Sequence, residues 1–513
     1  MPSIPVLLIR TDASERIGTG HVMRMIALAQ AWRRRGGFVQ FYCCECPGGL
    51  SDRLSNEGFY LHRIDAVPGS APDQKTFSDV CREANKACVV LDGYHFDVEY
   101  QSAIKAESRT LLVVDDYGHL DRYDCDILLN QNPGSDTLGL EAKAPGAKLL
   151  LGLKYALLRE EFLNTDPSPK SRTDGPINLL ITMGGSDPDN VTNLVLDSLK
   201  PHSEKIAQAR ILLGAANPHL AELDYVLPLL PYEAKILVNS TEMPAHLAWA
   251  DAAITAGGST CWELAYMGVP MAVVVLAENQ YRIAMHLGLG GFALNLGWYQ
   301  DLNAPALGDS LFPFINSDVV RRGMAAKAKS QVDRKGSARV CASLRASAMN
   351  LRPASTNDSK TLWELANDPA VRAASFLSAP IPWGEHDAWF QKKLADVNAH
   401  ILIAFDEASD FMGVVRFECG GDNVARISVA VAPESRGGGT GAALIVAGAD
   451  WLFAHTFMTR IDAFIRPGNL ASISAFQTAG FYFVGETVAH GEVALKYERQ
   501  SPSCGAITSA SLL

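Results

Sequence analysis

A chain of 513 residues is too long for one ordinary domain and predicts about three. Hydrophobic residues make up 48% and charged residues 20%, the balance of a globular protein with a sizeable core, and the net charge of −11 argues against a nucleic-acid surface, which needs clustered Lys and Arg. No apolar run approaches the roughly 20 residues of a membrane helix and no basic segment leads into one, so neither a span nor a signal peptide is expected and the reading is cytoplasmic.

Residues 4–9 are apolar and predict a buried strand, and residues 21–32 carry the Ala, Leu and Met pattern of a helix. Between them lies a loop with Gly18 and Gly20, which free the backbone for tight turning and close ligand approach. The N-terminus of the helix presents unpaired N–H groups, and His21 stands on its first turn. Imidazoles titrate near neutrality, which suits a general base; an ordinary strand, turn and helix with an exposed His fits the spacing equally. Further strands are predicted at 39–44, 87–92, 110–115 and 126–130, alternating with helices, which implies a parallel sheet in a first domain, residues 1–163. Tyr94, Asp115, Asp116 and Asn132 all follow predicted strands, where ligands of such sheets gather. Cys43-Cys44-Glu45-Cys46 invites a zinc reading, but no second Cys or His pair lies nearby at finger spacing. Buried reduced thiols are expected, and ten cysteines in so long a chain are no disulfide framework.

Residues 164–176 hold three prolines and read as a linker. A second α/β set follows, residues 177–350. Its strands are expected at 177–182, 209–213, 236–239, 252–255 and 271–276. Met183-Gly184-Gly185-Ser186-Asp187 turns into a helix near Asn190, and Gly257-Gly258-Ser259-Thr260 opens another helix that carries Glu263. A helical run at 317–351 is expected to close this half. Residues 351–360 read as a second linker. Beyond it, strands are predicted at 401–406, 411–418 and 424–431, the last holding Val429 and Val431. Arg436-Gly437-Gly438-Gly439-Thr440-Gly441 then leads into a helix at 442–455, a strand at 460–466, and a short helix from Asn469 and Ser472 to Gly480-Phe481. The third domain is expected at 360–500 and a disordered tail at 501–513.

The ordered string from Arg10-Thr11-Asp12 through Gly18-Thr19-Gly20-His21 to Arg24 resembles the opening of the UDP-sugar hydrolases of pseudaminic acid biosynthesis. The resemblance continues in Leu91-Asp92-Gly93-Tyr94, Val114-Asp115-Asp116-Tyr117, Leu128-Leu129-Asn130-Gln131-Asn132-Pro133, Thr182 to Asp187, Ala256 to Glu263, and Asn279-Gln280. It covers roughly the first two-thirds of the chain. It implies cleavage of UDP-2,4-diacetamido-2,4,6-trideoxy-β-L-altropyranose by water, with His21 as base and no metal. Tyr94 and Asn279 would assist near the sugar, and Asp12 would fix His21 or, with Gly20, meet the sugar. The diphosphate would rest on Gly184, Gly185 and Ser186 or on Gly258, Ser259 and Thr260. Glu263 would hold the ribose or serve as a packing carboxylate. Two Rossmann-like domains in tandem, with phosphate-type loops in the second, suggest the GT-B fold, and a glycosyltransferase of that fold is the rival reading.

The third region resembles the GNAT α+β acetyltransferases, whose signature Arg436, Gly439 and Gly441 match, with Asn469, Ser472, Gly480 and Phe481 following at family-like spacing. That resemblance implies acetyl-CoA as co-substrate, its pyrophosphate on the N–H groups from Gly437 to Gly441, with Val429 and Val431 beside it. The usual Tyr acid is replaced by Phe476, which leaves Tyr482 nearby and Glu418 or Glu434 as bases; a non-catalytic GNAT module is the alternative. The stretch from Asn367-Asp368-Pro369 to Glu385-His386-Asp387-Ala388-Trp389-Phe390 resembles members that acetylate nucleotide-linked amino sugars. The oligomeric state is not legible in the sequence.

Overall fold

The computed structural model describes residues 5–14, 17–85, 87–167, 175–185, 187–214, 217–406 and 408–502. Ser186, most of the first linker and nearly all of the expected tail lie outside the described residues. The chain divides into two compact units, one of Val6–Arg33 and Phe38–Ser337, the other holding Arg34–Gly37 and the residues from Ala338 on.

The first unit contains two parallel sheets. In the first, β1 (Val6–Thr11), β2 (Phe38–Cys43), β3 (Tyr60–Arg63), β4 (Cys88–Asp92), β5 (Thr110–Val114), β6 (Ile127–Asn130) and β7 (Lys148–Leu151) lie in the order β3-β2-β1-β4-β5-β6-β7. Strands β4, β5 and β6 are buried at every position, as a sheet covered on both faces requires. In the second, β8 (Ile177–Thr182), β9 (Ile206–Leu213), β10 (Ala234–Val238), β11 (Ala252–Ala256), β12 (Met271–Val275) and β13 (Leu294–Trp298) lie in the order β10-β9-β8-β11-β12-β13. Both sheets change direction beside their first strand, at β1/β4 and at β8/β11, and ligands of such sheets bind at that switch point.

The second unit holds a largely antiparallel sheet of β14 (Asn350–Pro353), β15 (Ala399–Phe405), β16 (Phe411–Cys419), β17 (Val424–Val431), β18 (Arg460–Ile465), β19 (Tyr482–Ala489) and β20 (Glu492–Gln500), ordered β14-β15-β16-β17-β18-β20-β19. Its core packs the helix Thr440–His455, through Leu444, Ile445 and Leu452, on Leu402, Val415 and Phe417 of the sheet.

Three expectations change. The run at 317–351 is two helices, Asp318–Lys329 and Gly336–Ser347, and Ala342 and Ala346 of the second lie in the core of the C-terminal unit rather than closing the second Rossmann-like lobe. The segment read as a linker at 351–360 begins with β14, which pairs antiparallel with β15. The strands β19 and β20, not foreseen, complete the sheet. Cys43 and Cys46 are buried thiols, while Cys44 is half-buried and accepts a hydrogen bond from Arg10 at 2.8 Å.

Candidate functional site

The helix Gly20–Arg33 starts directly beyond the glycine loop after β1, and His21 on its first turn is only 7% exposed. Its Nδ1 lies 2.6 Å from Asp92 Oδ1, at the carboxyl end of the neighbouring β4. The pair therefore sits on the β1/β4 switch point. A carboxylate can only accept, so Nδ1 donates to it, with Arg24 Nη2 3.0 Å from the same nitrogen.

Arg24, three residues on and on the same helix face, is clamped between two carboxylates. It donates to Asp92 Oδ2 through Nε at 2.7 Å and to Oδ1 through Nη2 at 2.6 Å. It donates to both oxygens of Asp116, just beyond β5, at 2.7 and 3.0 Å. Burial alone would raise both carboxyl pKa values, but the Arg24 guanidinium outweighs it and holds both below their ordinary value. Groups depressed in this way stabilise the fold above the unfolded carboxyl pKa and lose that contribution as pH falls. A urea titration series should therefore show the stability of this unit declining below about pH 4, where unfolded aspartates begin to take up protons.

Tyr94 donates its hydroxyl to Asp116 Oδ2 at 2.5 Å and presents its ring edge-on to His21 at 5.0 Å between centroids. Burial and the Asp116 charge push its phenol above the usual range, so it stays protonated. Asn132 donates to Asp116 Oδ1 at 3.0 Å, so Tyr94, Asp116 and Asn132 meet in one hydrogen-bonded cluster. Asp115 turns instead to His119, Tyr123 and Asn130.

The second lobe reaches this cluster through the helix Glu278–Leu289. Asn279 Nδ2 donates to the Tyr94 hydroxyl at 3.0 Å, and Arg282 donates to Thr137 Oγ1 at 3.0 Å. One helical turn beyond Arg282, the His286 ring lies flat against Gly134, where any Cβ would overlap it. Gly134 also holds a left-handed φ of 74°. Gly134→Ala is expected to lower the stability of this unit by about 1–3 kcal/mol through overpacking, read as an earlier thermal transition; an unchanged transition would show that the two lobes part freely there.

The loops expected to hold phosphate flank the β8/β11 switch point. A Cβ on Gly185 would lie 3.1 Å from Thr19 Oγ1, so the glycine loop of the first lobe faces the turn after β8. Ser259 stands at the N-cap position of the helix Thr260–Met267 without a side-chain capping bond, and the space beside Gly258 is open. Gln280, quoted in the sequence beside Asn279 but given no role there, accepts from the backbone N–H of Gly257 and Leu276 at 3.2 and 3.0 Å and fixes that loop.

One assignment is corrected. Asp12 does not fix His21: it accepts from Arg10 at 2.6 Å and from the backbone N–H of Cys44 and Glu45, with His95 at 3.0 Å. Asp92 takes that place. Glu263 is buried and accepts from Arg159 at 2.8 Å; burial raises its pKa despite that partner.

In the C-terminal unit, β17 and β18 run parallel but pair only at Val424–Arg426, and beyond that the strands part. The end of β17 that parts from β18, with Val429 and Val431 still paired to β16, leads into Gly437, Gly438 and Gly439 at φ values of 78°, 50° and 83°. Three consecutive left-handed residues are tolerated only by glycine, and they lead the chain into the helix beginning at Thr440. Arg436 is tied to Asp368 at 2.6 Å and to the Val431 carbonyl at 3.2 Å, and Arg345 donates to the Gly438 carbonyl at 2.6 Å. Asn469 caps the helix Leu470–Thr478 by accepting from Ser472 N–H at 3.1 Å. Phe476 is buried edge-on against Phe481 and has no proton to give. Tyr482 donates to Glu498 at 3.3 Å, and Glu418 is paired with Lys393 at 2.7 Å.

The model of the glycosyltransferase family 28 C-terminal domain matches residues 178–300, and that of the acetyltransferase (GNAT) domain matches residues 349–482. The chain joins two tandem Rossmann-like lobes, the second carrying the family 28 match, to a C-terminal domain that the GNAT model matches. Over the GT-B-like half, an uncharacterized protein of Methanocaldococcus jannaschii is 25% identical over 282 residues, 54% of this chain and 56% of that one. The UDP-2,4-diacetamido-2,4,6-trideoxy-beta-L-altropyranose hydrolase of Campylobacter jejuni is 24% identical over 288 residues, 56% of this chain and 97% of that one. Among solved structures, MurG of Acinetobacter baumannii, 17% identical, covers 67% of this chain and 99% of its own, with a TM-score of 0.48. In the described residues of both the GT-B-like half and the GNAT domain, no helix is long and apolar enough to cross a membrane.

Proposed function

We propose that the GT-B-like half hydrolyses UDP-2,4-diacetamido-2,4,6-trideoxy-β-L-altropyranose to UDP and the free sugar in the cytoplasm, and that the GNAT domain transfers acetyl from acetyl-CoA to the amine of a nucleotide-linked amino sugar. The observation that carries the first reading is the His21–Asp92 pair at the switch point, beside a tyrosine that the second lobe also touches. Water attacks the anomeric carbon as the bond to the UDP oxygen breaks and its electron pair leaves with UDP. His21 Nε2 takes the water's proton, and Asp92 stabilises the imidazolium. The N–H groups at Gly184 and Gly185, with Ser186, and at Gly258, Ser259 and Thr260 meet the diphosphate. Asn279 and the Tyr94 hydroxyl orient the sugar, and Glu263 is poised for the ribose only if it leaves Arg159. This route uses no metal.

The same family 28 match that supports a nucleotide-sugar site also favours a second reading, a glycosyltransferase with an acceptor in place of water. NMR of the products decides: free sugar supports hydrolysis, and a glycoside formed only with an added acceptor rejects it. In the GNAT domain the opened edge of β17 and the glycine turn support acetyl-CoA, its pyrophosphate on the N–H groups from Gly437 to Gly441. Gly438→Ala is expected to weaken acetyl-CoA binding about tenfold, since left-handed strain costs roughly 1–2 kcal/mol, with UDP release unchanged. Calorimetry showing undiminished affinity would remove that turn from the cofactor site.

A further inference from the structure

A second imidazole–carboxylate pair stands beside the first. Asp115, at the end of β5, accepts from His119 Nδ1 at 2.9 Å, from the Tyr123 hydroxyl at 2.7 Å, from Gly118 N–H at 2.7 Å and from Asn130 at 3.1 Å. Four donors on one carboxylate leave His119 Nδ1 no role but to donate, so Nε2 is the acceptor. That atom is buried and has no hydrogen-bond partner among the described residues. The ring stands edge-on to Tyr94 at 5.3 Å, with Tyr117 5.5 Å away. Tyr94 is thus flanked by two imidazoles, His21 at 5.0 Å and His119 at 5.3 Å, each with its Nδ1 held by a carboxylate at the end of adjacent strands. A buried acceptor without a protein donor is unfavourable until a water, an ion or a ligand completes it.

We infer that His119 Nε2 is a substrate-binding acceptor on the sugar side of Tyr94, and that it receives an amide N–H of the sugar. This rests on the proposed UDP-diacetamido substrate, whose two acetamido groups bring such donors where a simple hexose brings only hydroxyls. His119 then selects for N-acylated sugars, while the nucleotide is held elsewhere.

The test compares the UDP-diacetamido sugar with two analogues in which one acetamido N–H is replaced by an ester oxygen, against the full chain and its His119→Phe and His119→Gln variants. The wild type is expected to bind one ester analogue about tenfold more weakly, the size of one lost hydrogen bond to a buried acceptor. His119→Phe should bind the parent sugar about tenfold more weakly, no longer distinguish it from that analogue, and bind UDP alone as before. A merely structural role would not remove discrimination at one position. Equal wild-type affinity for all three sugars, discrimination retained in both variants, or UDP affinity falling in parallel would overturn the inference. With binding read by calorimetry in the His21→Ala background, where turnover is slowed, a chain that binds and discriminates while the wild type releases no free sugar overturns the hydrolase reading alone; one that binds none of the sugars overturns both.

Discussion

Replacing His21 by alanine is expected to slow UDP release by about 10²–10⁴-fold, the usual contribution of a positioned general base. The fold should survive, because Arg24 still ties Asp92 to Asp116 and the buried residues of the same helix, Val22, Met25 and Ile26, are untouched. Steady-state release of UDP together with a thermal melt makes the comparison. Asp92→Asn should fall in the same direction with the ring still in place, since an amide can donate to Nδ1 and strand the proton on Nε2. Near-normal turnover in either variant would reject the assignment of the base.

Arg24→Met is the substitution expected to cost the most stability. It leaves Asp92 and Asp116 buried side by side without the cation that both share, and breaking a buried pair typically costs about 3–5 kcal/mol. A downward shift of roughly 5 °C in the transition of the double-Rossmann unit follows for a unit of this size. The deficit should shrink as pH is lowered, because protonated carboxyls no longer repel one another. A variant that melts with the wild type at neutral pH would mean that water already screens the cluster. His21 also loses the neighbour that fixes Asp92, so turnover should drop alongside.

Much of this arrangement was legible before any coordinates. The apolar run ahead of the glycine loop placed His21 at a helix start, and Tyr94, Asp116 and Asn132 were gathered by the rule that such sheets bind ligands at their carboxyl ends. The partner of His21 was not. Asp12 is nearer in sequence, but β4, not the loop itself, lies beside β1, and only strand order brings Asp92 to the imidazole. Arg24 was hidden for a different reason: a basic residue inside a helix reads as a solvated face until two carboxylates from separate strands are known to meet it. The missed β3 and β14 are four-residue edge strands with mostly exposed positions, so they lack the hydrophobic signal that revealed their neighbours. Glu263 was placed on the helix after β11 as a ribose ligand or a packing carboxylate, but its ion pair with Arg159 joins residues 104 apart and no local pattern announces it.

The helix Gly336–Ser347 has a practical consequence for dissecting the protein. It gives Ala342 and Ala346 to the core of the C-terminal unit and runs into β14 after only Ala348 and Met349. Trimming at the proline-containing stretch past residue 351 would therefore strip an edge strand and uncover an apolar face, producing an insoluble fragment whose failure says nothing about catalysis. A recombinant piece begun ahead of that helix keeps its own lining.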